Sequence, residues 1–261
     1  MVYRLWSSHQ GIPVQETVLA DRIDNILERI AAAARRGGRN PHEVTLVAVS
    51  KTHTPDEVAA GYAAGLRIFG ENRVEEAAPK AEAVARLVAP APLPAWHMIG
   101  HLQSRKAEEV LPWASMVHSV DSVKLAARLS HFATAGQASH SELHFGMTVT
   151  RLPILLEVNV SGEASKYGFR AEELSSAVED IAALPGLALQ GLMTMAPIAA
   201  DPEKVRPVFA ALRTLRDELA RRYSTLDWRH LSMGMTDDFE VAIEEGSTMV
   251  RVGRAIFGEP M

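Results

Sequence analysis

The sequence predicts a single (β/α)8 barrel domain across the whole chain, preceded by an extra N-terminal helix. Three observations lead there. The chain has 261 residues, a length that suits one such barrel. Short apolar runs alternate with helical segments about eight times, the count at which a parallel sheet can close on itself. Polar and basic residues stand where those runs end, the place a barrel of this kind keeps for its working groups.

Each element has its own signal. Val18 to Arg36 places Leu19, Ile23, Ile26, Leu27 and Ile30 at helical spacing. Gly37 and Gly38 stop that helix, with Arg35 and Arg36 at its negative end. Val44 to Ser50 (VTLVAVS) reads as a buried strand. Thr54-Pro55-Asp56-Glu57 supplies a cap, a first-turn proline and a capping-box glutamate for a helix ending near Gly65. Further strands are expected at Arg67 to Glu71, Trp96 to Gly100, Met116 to Val120, Ile154 to Val160, Ala188 to Met195, Trp228 to Met233 and Met249 to Phe257. Helices are expected at Val74 to Leu87, Ser122 to His131, Glu172 to Ala183, Pro202 to Arg222 and Asp238 to Glu245. A doubly wound open sheet is the competing topology. Ala89 to Pro94 (APAPLP) is a loop inside the rhythm, and Thr134 to Arg151 reads as a surface insertion whose His140 and His144 are solvated.

Composition narrows the function. A net charge of −5 gives no electrostatic case for nucleic acid or an anionic membrane. There is no cysteine, so disulfides, thiolate catalysis and thiolate-ligated metals are excluded. No signal-peptide run opens the chain and no apolar run reaches membrane-span length. The expectation is a soluble cytoplasmic protein.

The strand ends carry the chemistry. The first strand ends in Ser50-Lys51-Thr52, which places a lysine at the barrel mouth. Partly apolar surroundings weaken the charged form of such a lysine, and its neutral amine attacks aldehydes. The bland reading is a solvated lysine. The last two strands change that balance, because the loops after them are frequent phosphate sites in barrels. Ser232 offers a hydroxyl there, Gly234 lets a ligand approach the backbone, and Gly253-Arg254 adds backbone donors and a cation. Simple turn chemistry is the alternative for these glycines. Arg251 interrupts an apolar strand, where a guanidinium needs a partner. Alternation puts it on the face of Met249 and Gly253, opposite Val250 and Val252. Its partner is either a ligand or an acid such as Glu71 or Glu157. Amine, phosphate cradle and arginine together suggest an aldehyde that carries a phosphate.

Longer stretches carry a resemblance. VTLVAVSK (Val44 to Lys51), FGENRVEE (Phe69 to Glu76), WHMIGHLQSRK (Trp96 to Lys106), NVSGEASKYGF (Asn159 to Phe169), GLMTMAP (Gly191 to Pro197) and the run from Leu231 to Glu259 resemble the pyridoxal phosphate homeostasis proteins. The match runs in order from about Val18 to Glu259. It implies a fold like the N-terminal domain of alanine racemase, with Lys51 as the Schiff-base lysine for pyridoxal 5′-phosphate. It also implies Ser232, Gly234, Gly253 and Arg254 around the phosphate, Arg251 near the ring nitrogen or phosphate, and Asn72 beside the cofactor. Arg105, Thr236 and Arg254 depart from the residues usual at their positions, and the Thr134 to Arg151 stretch is longer than expected.

Two functions follow from the resemblance. One is a carrier that holds the cofactor, buffers the reactive aldehyde and supplies apo-enzymes that depend on it. The other is an amino-acid racemase. A racemase of this barrel type needs a second domain bearing a tyrosine base, for which a chain ending at Met261 leaves no room, and an arginine at the ring nitrogen weakens the ring as an electron sink. The carrier is the favoured expectation, with Lys166, in the loop after the fifth strand, as a candidate second amine for release.

Overall fold

Val47 and Val49 face one way along the first strand and Leu46 and Ala48 the other, and this period of two sorts the barrel into an inside and an outside. The structure is a computed structural model that describes residues 14–137, 151–163 and 167–259. Its strands are β1 (Thr45–Val49), β2 (Ile68–Glu71), β3 (Ala95–Met98), β4 (Met116–Val120), β5 (Leu152–Glu157), β6 (Leu187–Met193), β7 (His230–Ser232) and β8 (Met249–Val252). They pair in sequence order, all parallel, and β8 pairs with β1 through Thr45 opposite Met249 and Val47 opposite Arg251. The sheet is closed, so the open doubly wound alternative is excluded.

Helices wrap the outside: α1 (Val14–Arg36), α2 (Pro55–Ala63), α3 (Val74–Val88), α4 (Ala107–Val110), α5 (Val123–Gln137), α6 (Leu174–Ala182), α7 (Arg206–Arg222), α8 (Phe239–Glu244) and α9 (Arg254–Phe257). The main apolar layer lies between them and the strands, with Phe69, Trp96, Phe209 and Phe239 fully buried in it. Each such side chain contributes roughly 1.5–3 kcal/mol by leaving water. A smaller apolar cluster fills part of the barrel interior: Val47, Ile99, Met116, Leu155, Met193 and Met249.

The extra helix α1 lies over α8 and α9. Ile23, Ile26 and Ile30 are buried there, Arg36 pairs with Glu244 at 2.6 Å, and Arg29 lies 4.7 Å over the Phe239 ring. Leu27, expected in the apolar stripe, is 47% exposed. Gly38 ends the helix turn at φ 68°. The capping box of α2 forms as expected, Thr54 Oγ1 accepting from Glu57 N at 3.3 Å and Glu57 Oε2 from Thr54 N at 2.7 Å.

The boundaries correct several expectations. β8 stops at Val252, because Ile256 N and Phe257 N both bond back to Gly253 O at 2.8 and 3.0 Å and make Arg254–Phe257 a helical turn. β5 starts at Leu152 and ends at Glu157, after which Val158 forms only an isolated bridge to Phe169. β6 and β7 are shorter than their apolar runs, since Thr194, Met195, Trp228 and Met233 fall outside the ladders. Helix α5 continues through Gln137, so the first residues of the supposed insertion are helical, and Thr134 Oγ1 bonds Ser130 O at 2.9 Å. His140 and His144 lie outside the described residues. Among the described residues, no helix is long and apolar enough to cross a membrane.

Candidate functional site at the barrel mouth

Lys51 continues the inward-facing series Val47, Val49 and is exposed at the C-terminal end of β1. It occupies the second position of a tight turn that His53 N closes onto Ser50 O at 3.1 Å. The third position is Thr52, at φ 66°. Glycine or asparagine is the ordinary occupant of such a position, and holding a branched residue there costs about 1–3 kcal/mol. The residue before Lys51 is gripped firmly. Ser50 is fully buried, its hydroxyl donates to Glu71 Oε1 at 2.7 Å, and its carbonyl accepts from Lys80 Nζ at 2.7 Å. Lys80 Nζ also donates to Glu71 Oε1 at 2.7 Å. Burial pushes the Glu71 carboxyl up, and the Lys80 ammonium opposes that shift.

Arg251 faces the barrel interior together with Met249, the residue with which alternation grouped it. Its Nη1 donates to Ser232 Oγ at 2.5 Å and its Nη2 to Thr194 O at 3.0 Å. Neither acid considered from the sequence hydrogen-bonds it: Glu71 belongs to Lys80, and Glu157 acts on it only through its field. Ser232 Oγ lies 2.8 Å from His118 Nδ1, and His118 Nε2 lies 2.9 Å from His97 Nδ1. A polar chain therefore runs from Thr194 through Arg251, Ser232 and His118 to His97. Ser232 is fully buried within it.

Electrostatics follow from this burial. Arg251 is pushed down to about 10 by desolvation, with Glu157 and Asp238 pulling the other way, so it stays a cation at neutral pH. Glu157, at the inward-facing end of β5, is raised to about 7 by burial and by Asp121, against the pull of Arg251. Burial lowers His97 to about 3 and holds His118 well below its ordinary range, where His97 and Arg251 add to the effect. Both imidazoles are neutral.

The remaining expected residues gather on the same arc. Gly234 has φ 94°, and its carbonyl accepts from Arg251 N at 3.0 Å. Gly253 packs against Val49, where an added Cβ would sit 3.1 Å from the Val49 carbonyl oxygen. Arg254 is exposed and pairs with Asp237 at 2.5 Å, which ties the loops after β7 and β8 together. Asn72 follows β2 directly, and its buried Oδ1 has no hydrogen-bond partner among the described residues. Ser232, Gly234, Arg251, Gly253, Arg254, Lys51 and Asn72 thus occupy the ends of four adjacent strands, β7, β8, β1 and β2. Lys166 lies outside the described residues.

Sequence reasoning missed the two interior histidines and the Ser50–Glu71–Lys80 cluster, and it named Glu157 only as a possible partner of Arg251. The histidines had a signal: each sits one position from an outward apolar residue (Trp96-His97-Met98, Val117-His118), so strand period alone aims them inward. The mouth also holds His101, which pairs with Asp121 at 3.2 Å and stacks on Tyr167 at 3.6 Å between ring centres.

Comparison with known proteins adds independent findings. Residues 22–260 match the family described as alanine racemase, N-terminal domain. The pyridoxal phosphate homeostasis protein of Pseudomonas aeruginosa is 42% identical over 242 residues, covering 93% of this chain and 96% of its own. Its namesake in Aquifex aeolicus is 40% identical over 239 residues, covering 92% and 97%. The solved structure of PipY from Synechococcus elongatus PCC7942 with PLP bound is 32% identical, with a TM-score of 0.76 over 92% of this chain and 100% of that one.

Proposed function

We propose, from the premise that this chain belongs to the pyridoxal phosphate homeostasis protein family, that it binds pyridoxal 5′-phosphate as a Schiff base on Lys51 and supplies it to apo-enzymes in the cytoplasm. The observation that carries this reading is the position of Lys51, at the inward-facing end of β1, next to the glycine-bearing end of β8 and one strand from that of β7. The residues present fit the group. Asn72 Oδ1 is a buried acceptor in want of a donor, which a ring hydroxyl provides. The turns at Gly234 and Gly253–Arg254 fit a phosphate through backbone N–H groups, and Arg251 supplies a fixed positive charge for the ring nitrogen.

When bound, the cofactor supplies an aldehyde carbon that condenses with an amine. The chain's own residues bind and orient it. Arg251 stays charged and is held from two sides, by Ser232 and Thr194. A permanent cation at the ring nitrogen disfavours a proton there, which suits holding the cofactor rather than driving carbanion chemistry. That is why we place supply ahead of racemisation.

The test is a visible absorption spectrum of the purified protein, before and after borohydride reduction, followed by digestion and mass spectrometry. The expected result is one pyridoxyl-modified peptide carrying Lys51, absent in Lys51→Ala. Equal labelling of the Lys51→Ala protein overturns the assignment. Reactivation of an apo-enzyme by the loaded protein, faster than by the same amount of free cofactor, tests the supply role.

A further inference from the structure

We infer that Ser50, Thr52, Glu71 and Lys80 are positioning residues that aim the Lys51 amine, an inference that rests on the reading of Lys51 as the residue carrying the cofactor. Lys51 is exposed, so the direction of its side chain is set first by the backbone of the turn from which it leaves. That turn is held in an unusual shape, with Thr52 at φ 66°. A β-branched residue keeps a left-handed conformation only where its surroundings over-determine it. The surroundings here are specific. Ser50 O accepts from His53 N at 3.1 Å, which closes the turn, and also from Lys80 Nζ at 2.7 Å, which ties it to α3. Ser50 Oγ donates to Glu71 Oε1 at 2.7 Å, which ties it to β2. Lys80 and Glu71 then bond each other at 2.7 Å and close a ring of hydrogen bonds around the residue next to Lys51.

Stability alone is a poor account of this cluster. Glu71 is fully buried and Lys80 nearly so, and a buried ion pair is commonly no more stabilising than apolar residues of equal volume. One Glu71 oxygen takes both bonds while the other has no partner among the described residues. What the pair does well is fix geometry. The same carboxylate anchors the residue before Lys51 and itself precedes Asn72, so two residues of the mouth are held through one group. The step being aimed is a condensation. The neutral Lys51 nitrogen forms a C=N bond to the aldehyde carbon, the carbonyl oxygen leaves as water with both amine hydrogens, and no electrons pass to or from another reagent.

Three variants test this: Thr52→Pro, whose ring fixes φ at about −65° and so cannot hold the turn's shape at this exposed position; Ser50→Ala; and the double change Glu71→Leu with Lys80→Met, which replaces the pair with apolar groups. For each, the thermal midpoint of the protein without cofactor is measured beside the rate of capture of pyridoxal phosphate at Lys51. Capture is stopped by borohydride and read on the Lys51 peptide. The expected result is a maximal capture rate about 10-fold lower or more. The cofactor concentration giving half that rate moves less, and Thr52→Pro, changed at an exposed position, melts within a few degrees of wild type. Wild-type capture rates in both Thr52→Pro and the double variant overturn the inference. So does a loss of rate that simply tracks the loss of midpoint across the three, since general loosening would give the same. If the wild-type protein itself forms no borohydride-fixed adduct at Lys51, the cofactor reading fails instead, and the two failures are distinct.

Discussion

The Arg251 guanidinium donates to the Ser232 hydroxyl at 2.5 Å, and this bond sets the proton positions across the barrel interior. Arginine has no acceptor, so Ser232 Oγ accepts from it, and the buried hydroxyl hydrogen finds an acceptor only when turned toward His118 Nδ1, 2.8 Å away. His118 is then bare at Nδ1 and protonated at Nε2, which donates to His97 Nδ1 at 2.9 Å. His97 in turn carries its proton on Nε2. One donor-only side chain on β8 thereby orders two histidines on β3 and β4.

This ordering is directly measurable. Long-range nitrogen–proton NMR of histidine-labelled protein at neutral pH is expected to show two neutral imidazoles protonated at Nε2, assigned by single substitution of His97 and His118. Either ring protonated at Nδ1 would break the chain of donors.

Removing the link should be costly. Ser232→Ala leaves an Arg251 N–H and the His118 acceptor buried without their partner. A buried polar group stripped of its bond costs about 1–3 kcal/mol, so a fall of that order in urea-unfolding free energy is expected, at unchanged slope. Ser232→Thr, which keeps the hydroxyl, is expected to recover part of it. A wild-type midpoint for Ser232→Ala would show that the bond carries no net stability.

A pH effect follows from Glu157. Its folded pKa is raised to about 7 from an ordinary 4.5. A carboxyl shifted upward contributes stability that is complete below its unfolded value and is lost as pH rises through its folded value. Between pH 4.5 and 7 the loss is on the order of 3 kcal/mol at most. His97 and His230, lowered to about 3 and about 4, act oppositely, stabilising above pH 6.5 and losing that contribution as pH falls. The clean measurement is therefore a difference: the stability of wild type minus that of Glu157→Gln, expected to fall as pH rises from 4.5 to 8. A flat difference would mean that Glu157 titrates normally.

The barrel was legible because its signals are periodic. Alternation in β8 put Arg251 on one face with Met249, which lines the barrel, and the capping box at Thr54 fixed the start of α2. Strand ends were less legible, since Val158, Val160 and Ile256 are as apolar as the residues inside the ladders, and only hydrogen bonding separates them. In the site, Lys51 could be read from its place after an apolar strand. The grip on Ser50 could not. It joins residues 50, 71 and 80, from three different elements, and no local pattern reports a contact made by closing a barrel. Ser232 shows the same limit: its hydroxyl, read from sequence as open to a phosphate, is buried against Arg251 and His118.

Gly253 packs the proposed phosphate loop against β1, the strand that leads to Lys51. A Cβ there would lie 3.1 Å from Val49 O and 3.2 Å from Val49 Cβ, tighter than usual, so Gly253→Ala must shift either β1 or the turn into α9. If β1 moves, Lys51 moves with it, and pyridoxal and pyridoxal phosphate lose affinity alike. If the turn moves, the backbone donors at Gly253 and Arg254 are displaced and only the phosphorylated ligand suffers. β1 is held by β2 on one side, by β8 on the other, and by the Lys80 bond at its end. The turn into α9 leads only into a four-residue helix. The turn should therefore give way, and Gly253→Ala is expected to weaken pyridoxal phosphate about 10-fold more than pyridoxal, one such step being about 1.4 kcal/mol. Titration of both aldehydes, followed by absorbance at the adduct band, measures that ratio. Equal losses for the two ligands would place the phosphate elsewhere on the rim.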